Sequence, residues 1–344
     1  MLYIFIYLHA PEGLGGGGGL LSFHFFQPRL KLLDLVKIIA GLALLYFGGN
    51  FLVTGSVHLA RVLKISPFVI GATVIAFGTS APELAVALLA SLEGNPELAM
   101  GNVIGSNIAN IGLVLGLTAC ITSISIAPER LKRESPPLLF ASLLIVVIAW
   151  NLEINRYEGF FMVCLLGLYI WRSFSHKEDI VEEMEDEAPL FAGKDLYFQI
   201  LLIIVGLGLL VGGAEFLVAG GVGIARNLGI SEWFIGITIV AIGTSLPEIV
   251  SSMIAAKRGH GEMAIGNIFG SNIFNILMVL GLTATIHPLH INEPIQPDLL
   301  ITFAITGLLL GMIRYGNHSL GKLTGAILIL VYCVYIGLKG TGSL

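Results

Sequence analysis

Apolar residues run along this chain in long continuous stretches that are separated by short polar connections. Stretches of about 20 apolar residues are long enough to cross a bilayer as helices. Backbone polar groups in lipid must be paired internally, and continuous rather than alternating apolar runs favour helices over a closed barrel. The pattern therefore predicts an all-α polytopic membrane protein with ten transmembrane helices. The predicted spans cover residues 34–58, 68–92, 98–123, 136–150, 159–174, 197–224, 233–256, 264–286, 298–313 and 321–338.

Composition agrees with a membrane protein and disfavours several other classes. Hydrophobic residues make up 56% of the 344 residues and charged residues only 12%, whereas a soluble domain is about 25% charged. The net charge of −5 comes without a basic patch, so no nucleic-acid partner is expected. Cys120, Cys164 and Cys333 lie far apart and match neither a metal spacing nor a disulfide framework. We expect no cofactor, the lipid bilayer as surroundings, and no obligatory protein partner.

Two segments outside the spans divide the chain. Residues 1–32 combine an apolar run too short to span with a glycine-rich stretch, which predicts a flexible N-terminal segment. Residues 175–196 contain the acidic run KEDIVEEMEDEA and are predicted to form a solvated linker. The two predicted five-helix units are then residues 33–174 and 197–344.

The two units repeat one another at a constant offset of 165 residues. The block GLALLYFGGNFLV at Gly41 resembles GLGLLVGGAEFLV at Gly206, and GATVIAFGTSAPE at Gly71 resembles GITIVAIGTSLPE at Gly236. A third pair is GNVIGSNIANIGLVLGLT at Gly101 and GNIFGSNIFNILMVLGLT at Gly266. Such a duplication without gaps marks an internal repeat. Because each unit has five helices, the second enters the membrane from the opposite side, which predicts inverted repeats typical of secondary transporters.

The distribution of basic residues predicts the orientation. Twelve of the 18 Lys and Arg residues fall in connections on one side of the predicted helices and six on the other. Because cytoplasmic loops carry an excess of Lys and Arg, the richer side, which includes the linker, is predicted to be cytoplasmic. Both termini are then outside, and the expected location is the cell (inner) membrane.

The phrase IAFGTSAPELAV places a carboxylate and a helix breaker inside an apolar span. Pro82 has no N–H, so the carbonyl of Gly78 loses its helical partner, and we expect carbonyls around Ala76 to turn inward. Such backbone is tolerated at membrane depth only where it lines a cavity or is buried in protein. Thr79 and Ser80 share one helix face with Glu83. The seventh span repeats the set with Thr244, Ser245, Pro247 and Glu248.

A second motif lies in the third and eighth spans. Asn102, Ser106 and Asn110 follow a spacing of four residues and form one polar stripe on an apolar helix. Asn267, Ser271 and Asn275 repeat this stripe. All the donor atoms offered by both motifs are oxygens, and hard cations such as Ca²⁺ and Na⁺ prefer oxygen ligands. An acidic residue inside a span indicates a functional site, and two of them suit a divalent ion.

The paired motifs resemble the two alpha repeats of the cation/calcium exchanger superfamily, and are most similar to prokaryotic sodium/calcium exchangers. The resemblance extends from about residue 34 onward. It implies a ten-helix exchanger in which helices one and six slide across a rigid core that holds Na⁺ and Ca²⁺. This chain departs from some family members at Asn275, where archaeal and potassium-dependent exchangers can carry an aspartate. The resemblance associates K⁺ co-transport with an acidic residue at this position. The implied ligands are the carbonyls of Ala76 and Ala241 and the side chains of Thr79, Ser80, Glu83, Ser106, Asn110, Thr244, Ser245, Glu248, Ser271 and Asn275.

The sequence is therefore interpreted as a Na⁺/Ca²⁺ antiporter that works by alternating access at a midplane site. Ca²⁺/H⁺ exchange, or another cation antiport, through the same two glutamates stays open as the alternative. A channel would need an open path, which a proline-kinked midplane cluster does not favour. An enzyme is not predicted, since an intramembrane hydrolase would need a motif such as G-x-S-x-G or H-E-x-x-H, and neither is present.

Overall fold

The computed structural model describes residues 32–175, 196–229 and 241–341. The predicted N-terminal segment, apart from Leu32, and most of the predicted acidic linker lie outside these residues, as does the first part of the seventh predicted span. In the first half of the chain the elements are α1 (Leu32–Leu63), α2 (Pro67–Ile70), a π-helical turn (Gly71–Ile75), α3 (Ala76–Thr79), α4 (Ala81–Leu92), α5 (Pro96–Ala109), a second π-helical turn (Asn110–Leu115), α6 (Gly116–Ile121), β1 (Ile124–Ser125), α7 (Pro128–Ile148), a 3-10 turn (Ala149–Asn151), β2 (Glu153–Ile154) and α8 (Arg156–Ser175).

The described part of the second half follows a similar order from α9 onward. Its described elements are α9 (Leu196–Asn227), α10 (Ala241–Thr244), α11 (Leu246–Lys257), α12 (Gly261–Phe274), a π-helical turn (Asn275–Leu280), α13 (Gly281–Ile286), β3 (Leu289–His290), α14 (Gln296–Tyr315), β4 (Ser319–Leu320) and α15 (Lys322–Gly340). The fold is thus all-α apart from four two-residue strands in the described part of the chain.

Apolar spans account for most of the described helices. Seven helical segments are long and apolar enough to cross a membrane, and the bent pair Pro67–Thr79 and Ala81–Leu92 would make an eighth. The prediction of a membrane-spanning helical protein is therefore confirmed. The two remaining predicted spans are α8 and the seventh, which is described only from Ala241 onward, so a total of ten spans stays a prediction.

The predicted start of the fourth span, at Pro136, is wrong by eight residues. The helix α7 begins at Pro128 and continues through Pro136 and Pro137. Pro137 leaves the Arg133 carbonyl without its helical N–H partner, and the Arg172 guanidinium donates to that carbonyl at 3.0 Å. A proline pair is therefore accommodated within this helix rather than ending it.

The helices α1 and α9 pack against each other through two pairs of glycines. A Cβ atom on Gly41 would lie 2.8 Å from the carbonyl oxygen of Gly213, and one on Gly48 would lie 2.8 Å from that of Gly206. Only glycine permits backbones to approach so closely. The pairs are related by the repeat, because Gly41 corresponds to Gly206 and Gly48 to Gly213. The same contact is therefore made twice, with the roles of the two helices exchanged.

The helix run from α12 to α13 occupies the centre of the bundle. Its membrane-spanning window is 100% buried, compared with 72% for the equivalent window of α5 to α6. Gly266 and Gly270 permit this close packing. A Cβ on Gly266 would collide with the Phe68 carbonyl, and one on Gly270 would collide with the Ala72 carbonyl. Phe68 also packs edge-on against Phe269, with ring centroids 5.8 Å apart. The second and eighth spans therefore cross at very short range.

Candidate cation-binding site

The second span is broken at the point that the sequence motif predicts. The helix α3 ends at Thr79, α4 begins at Ala81, and the two axes differ by 41°. Pro82 stands in the first turn of α4, where its missing N–H costs no helical hydrogen bond. The break places Glu83 in the first turn of a new helix, and Glu248 likewise lies in the first turn of α11. Both carboxylates are buried, with 1% of each residue exposed.

The Ala76 carbonyl is not freed from its helix, contrary to our prediction. It accepts the backbone N–H of Ser80 at 2.9 Å and faces the Thr79 hydroxyl at 3.4 Å. The interruption lies at Ser80, whose N–H still completes the last turn of α3. A carbonyl oxygen has two lone pairs, so a cation at this atom would replace the long contact from Thr79. In the second half the Ser245 N–H donates to the Ile242 carbonyl at 3.1 Å.

Both polar stripes end in a π-helical turn. The helix α5 changes to π geometry at Asn110, and α12 does so at Asn275, again 165 residues later. Single π turns inside α-helices often occur at functional sites, because they redirect a side chain. The side chains of Asn110 and Asn275 are buried. The duplicated distortion indicates that both asparagines are held in a special backbone geometry.

Contacts between the motifs cross from one half of the chain to the other. The Thr79 hydroxyl lies 3.4 Å from that of Ser271 and 3.5 Å from the Asn267 side-chain oxygen. The helix α4 contacts the π turn that begins at Asn275, and α11 contacts the one that begins at Asn110. The structure thus brings the four motifs into a single cluster.

Several buried polar atoms in this cluster have no hydrogen-bond partner among the described residues. Buried polar groups in native proteins are almost always paired, and an unpaired set calls for an explanation such as a bound ion. Carboxylate, hydroxyl and amide oxygens are the ligands that hard cations prefer. The atoms are one oxygen of Glu83, both carboxylate oxygens of Glu248, the hydroxyls of Ser80 and Ser245, and both side-chain amide atoms of Asn110 and Asn275.

The other predicted ligands lie on the same elements as the unpaired atoms. Ser106 and Ser271 are buried on α5 and α12. Thr244 is half-buried at the end of α10, and Ala241 begins that helix. Asn102, which the stripe singled out, donates to the Glu83 backbone carbonyl at 3.3 Å and so ties the third span to the second.

Sequence reasoning missed two serines that hold the second stripe in place. The Asn267 amide donates to Ser252 at 2.9 Å and to Ser251 at 3.2 Å. Ser251 in turn donates to the Pro247 carbonyl at 2.7 Å. These serines lie three and four residues after Glu248, on its helix face, and that spacing could have identified them.

An all-α membrane bundle with a buried cluster of acidic and amide side chains on broken helices defines an ion-transport protein. The sequence profile of the sodium/calcium exchanger protein family matches residues 33–175 and 198–340, and the chain therefore belongs to this family of membrane antiporters. The sodium/calcium exchanger MaX1 of Methanosarcina acetivorans is 31% identical, covering 88% of this chain and 97% of that protein. An uncharacterised membrane protein of Methanocaldococcus jannaschii is 38% identical, covering 89% and 98%.

The fold also matches a solved exchanger. The structure of the sodium-calcium exchanger NCX_Mj soaked with Na⁺ and no Ca²⁺ superimposes with a TM-score of 0.77 at 35% sequence identity. The match covers 89% of this chain and 98% of that one. The chain therefore resembles this exchanger in sequence and in fold.

Proposed function

We propose that this protein exchanges Na⁺ for Ca²⁺ across a membrane by alternating access, with both ions bound in turn by one buried cluster of oxygen ligands. The observation that carries the proposal is the set of unpaired buried oxygens around Glu83 and Glu248. Two carboxylates balance the charge of one Ca²⁺. The same oxygens can instead bind Na⁺, and two ions that exclude one another at a shared site produce exchange rather than leak.

The relatives support this choice of ions. MaX1 and NCX_Mj are both named sodium/calcium exchangers, and each aligns over nearly its whole length. We propose the same ligands that the resemblance implies, with Ala76 contributing only if its contact with Thr79 is given up. The site then draws on α3, α4, α5 and the π turn at Asn110 from the first half, and on α10, α11, α12 and the π turn at Asn275 from the second.

Symmetric contacts support ten spans in two inverted repeats. The strand β1 pairs with β4, and β2 pairs with β3. Glu262 accepts the Ala127 N–H at 3.1 Å, and Glu97 accepts the Asn292 N–H at 3.0 Å. Glu97 and Ala127 correspond to Glu262 and Asn292 at the offset of 165. With ten spans these two contacts fall on opposite sides of the membrane, as an in-plane pseudo-twofold axis requires.

We further propose that the protein resides in the cell (inner) membrane with the Ser175–Lys194 linker in the cytoplasm and both termini outside. The bias of Lys and Arg supports this orientation.

The test is a flux assay in sealed vesicles in which Na⁺, H⁺ and Ca²⁺ gradients are imposed separately. An outward or inward Na⁺ gradient should drive Ca²⁺ in the opposite direction, and a Na⁺-free pH gradient should not. Ca²⁺ movement driven by the pH gradient alone would establish Ca²⁺/H⁺ exchange instead. Ca²⁺ that moves down its own gradient when neither Na⁺ nor H⁺ moves in the opposite direction would indicate a channel.

A further inference from the structure

Arg258 connects two helices that lie in different halves of the chain. It caps the C-terminal end of α11 and reaches across to α1. One guanidinium nitrogen donates to the Thr54 hydroxyl at 2.8 Å, and another donates to the side-chain oxygen of Asn50. The Asn50 amide in turn donates to the Tyr46 carbonyl at 2.7 Å, which fixes its orientation.

The helices meet closely beside this contact. A Cβ atom on Gly49 would lie 2.5 Å from Ile254 and 3.0 Å from Val250, both on α11. Gly49 therefore lets α1 lie directly on α11, and it immediately precedes Asn50. Packing and hydrogen bonding together join α1 to the end of the seventh span.

The repeat lacks an equivalent of this contact. The residues that correspond to Arg258, Asn50 and Thr54 are Glu93, Glu215 and Ala219. Two carboxylates repel one another, and the methyl side chain of alanine can neither donate nor accept a hydrogen bond. In the described structure α9 makes no packing along α4 comparable to that of α1 along α11. The two halves therefore differ both in their contacts and in the chemistry available to make them.

We infer that Arg258 is a positioning residue that stabilises one of the two access states by holding α1 on the end of α11. The inference rests on the proposed function, because it requires two access states. In inverted repeats the second state arises when the two halves exchange their arrangements. The helix α1 would then relate to α11 as α9 now relates to α4, and the hydrogen bonds of Arg258 would be lost. No equivalent bond forms on the other side, so the equilibrium is biased toward the described state.

Sided measurements of Ca²⁺ affinity test this inference. Apparent affinity on each face is scaled by the population of the state that opens there. In right-side-out and inverted vesicles, Arg258→Ala should raise the apparent Ca²⁺ affinity on one face by about five- to tenfold and lower it on the other, a shift of the size that a typical net hydrogen-bond contribution gives for these exposed contacts. Damage to the ion site would lower the apparent Ca²⁺ affinity on both faces. Loss of folded protein would reduce the maximal flux without shifting the two affinities in opposite directions.

Matched variants complete the experiment. Lys257→Ala removes a positive charge one residue earlier and should leave the apparent Ca²⁺ affinity unchanged on both faces. Thr54→Val should shift both affinities in the direction of Arg258→Ala but less, and Arg258→Lys should be milder still if a single ammonium bond forms. These conservative variants keep the test valid if Arg258→Ala folds poorly. Equal shifts on both faces, or none, in an actively exchanging protein would overturn the role of Arg258. Wild-type vesicles without Na⁺-driven Ca²⁺ flux would instead overturn the proposed function.

Discussion

Thr79 and Ser271 come from opposite halves of the chain, and their hydroxyl oxygens lie 3.4 Å apart in the buried centre of the bundle. The distance matters because each hydroxyl belongs to a different motif, one on the broken second span and one on the eighth. A cation between the halves would therefore contact both repeats at once. Changes at this centre are expected to alter ion binding, and changes at the contacts between helices to alter packing or the motion that gives access.

Removal of either buried negative charge should abolish Ca²⁺ transport. Glu83→Gln and Glu248→Gln keep the shape of the side chain but leave a divalent ion with one uncompensated charge. We expect a loss of about 3–5 kcal/mol in Ca²⁺ binding, or roughly a hundredfold or more in affinity. Isothermal titration and vesicle flux measure the loss. The exposed Glu129→Gln variant is the control, and near-normal flux in either buried variant would refute the site.

The glycine contacts between α1 and α9 should tolerate no added methyl group. Gly48→Ala would put a Cβ 2.8 Å from both the Gly206 carbonyl oxygen and the Leu210 nitrogen, and backbone atoms cannot rotate away. We expect a loss of about 1–3 kcal/mol in stability, typical of overpacking, together with reduced flux. Gly208→Ala on α9, where no described atom lies within 4 Å of the added carbon, is the control. Equal melting temperatures for the two variants would contradict the packing.

Protons should compete with Ca²⁺ for the cluster. Each proton taken up by Glu83 or Glu248 removes a negative charge that a divalent ion requires, so the apparent Ca²⁺ affinity should fall as the pH falls. Maximal flux at saturating Ca²⁺ should change less, because the competition is for one site. The measurement is the Ca²⁺ dependence of Na⁺-driven flux at a series of pH values. An affinity that stays constant into mildly acidic buffer would argue against carboxylate ligands.

The orientation can be tested at the end of α8. Ser175 is exposed at the start of the linker, and the charge bias puts it in the cytoplasm. A cysteine introduced by Ser175→Cys, with the three native cysteines replaced, should resist an impermeant thiol reagent added to intact cells and react after permeabilisation. Rapid labelling of intact cells would reverse the orientation.

Transport should not require K⁺. The neutral Asn275 leaves Glu83 and Glu248 as the two formal charges of the proposed site, and one Ca²⁺ already balances them. Adding K⁺ would bring a third positive charge into a poorly screened site, which is costly. Na⁺-driven Ca²⁺ flux should therefore persist in K⁺-free vesicles, while Asn275→Asp should strengthen the effects of monovalent cations. Flux that vanishes without K⁺ and returns when K⁺ is added would show this reasoning to be wrong.

The sequence by itself determined the class of fold and the duplication, and it supplied the oxygen-ligand site that we propose. Apolar runs report burial in lipid, and a repeat such as GTSAPE and GTSLPE reports shared ancestry of two halves, so neither needs three-dimensional information. The spacing of Asn102, Ser106 and Asn110 likewise follows from the helical period. These features are local, which is why they could be predicted.

Only the tertiary structure decided how these local features meet. It showed that the Ala76 carbonyl keeps its helical partner, that α7 continues through Pro136, and that Ser251 and Ser252 hold Asn267. It also paired Gly48 with Gly206 and placed Arg258 on Asn50. Contacts of this kind depend on the crossing angle and the rotation of each helix about its axis. Those quantities are set by packing of many distant residues together, and no short stretch of sequence contains them.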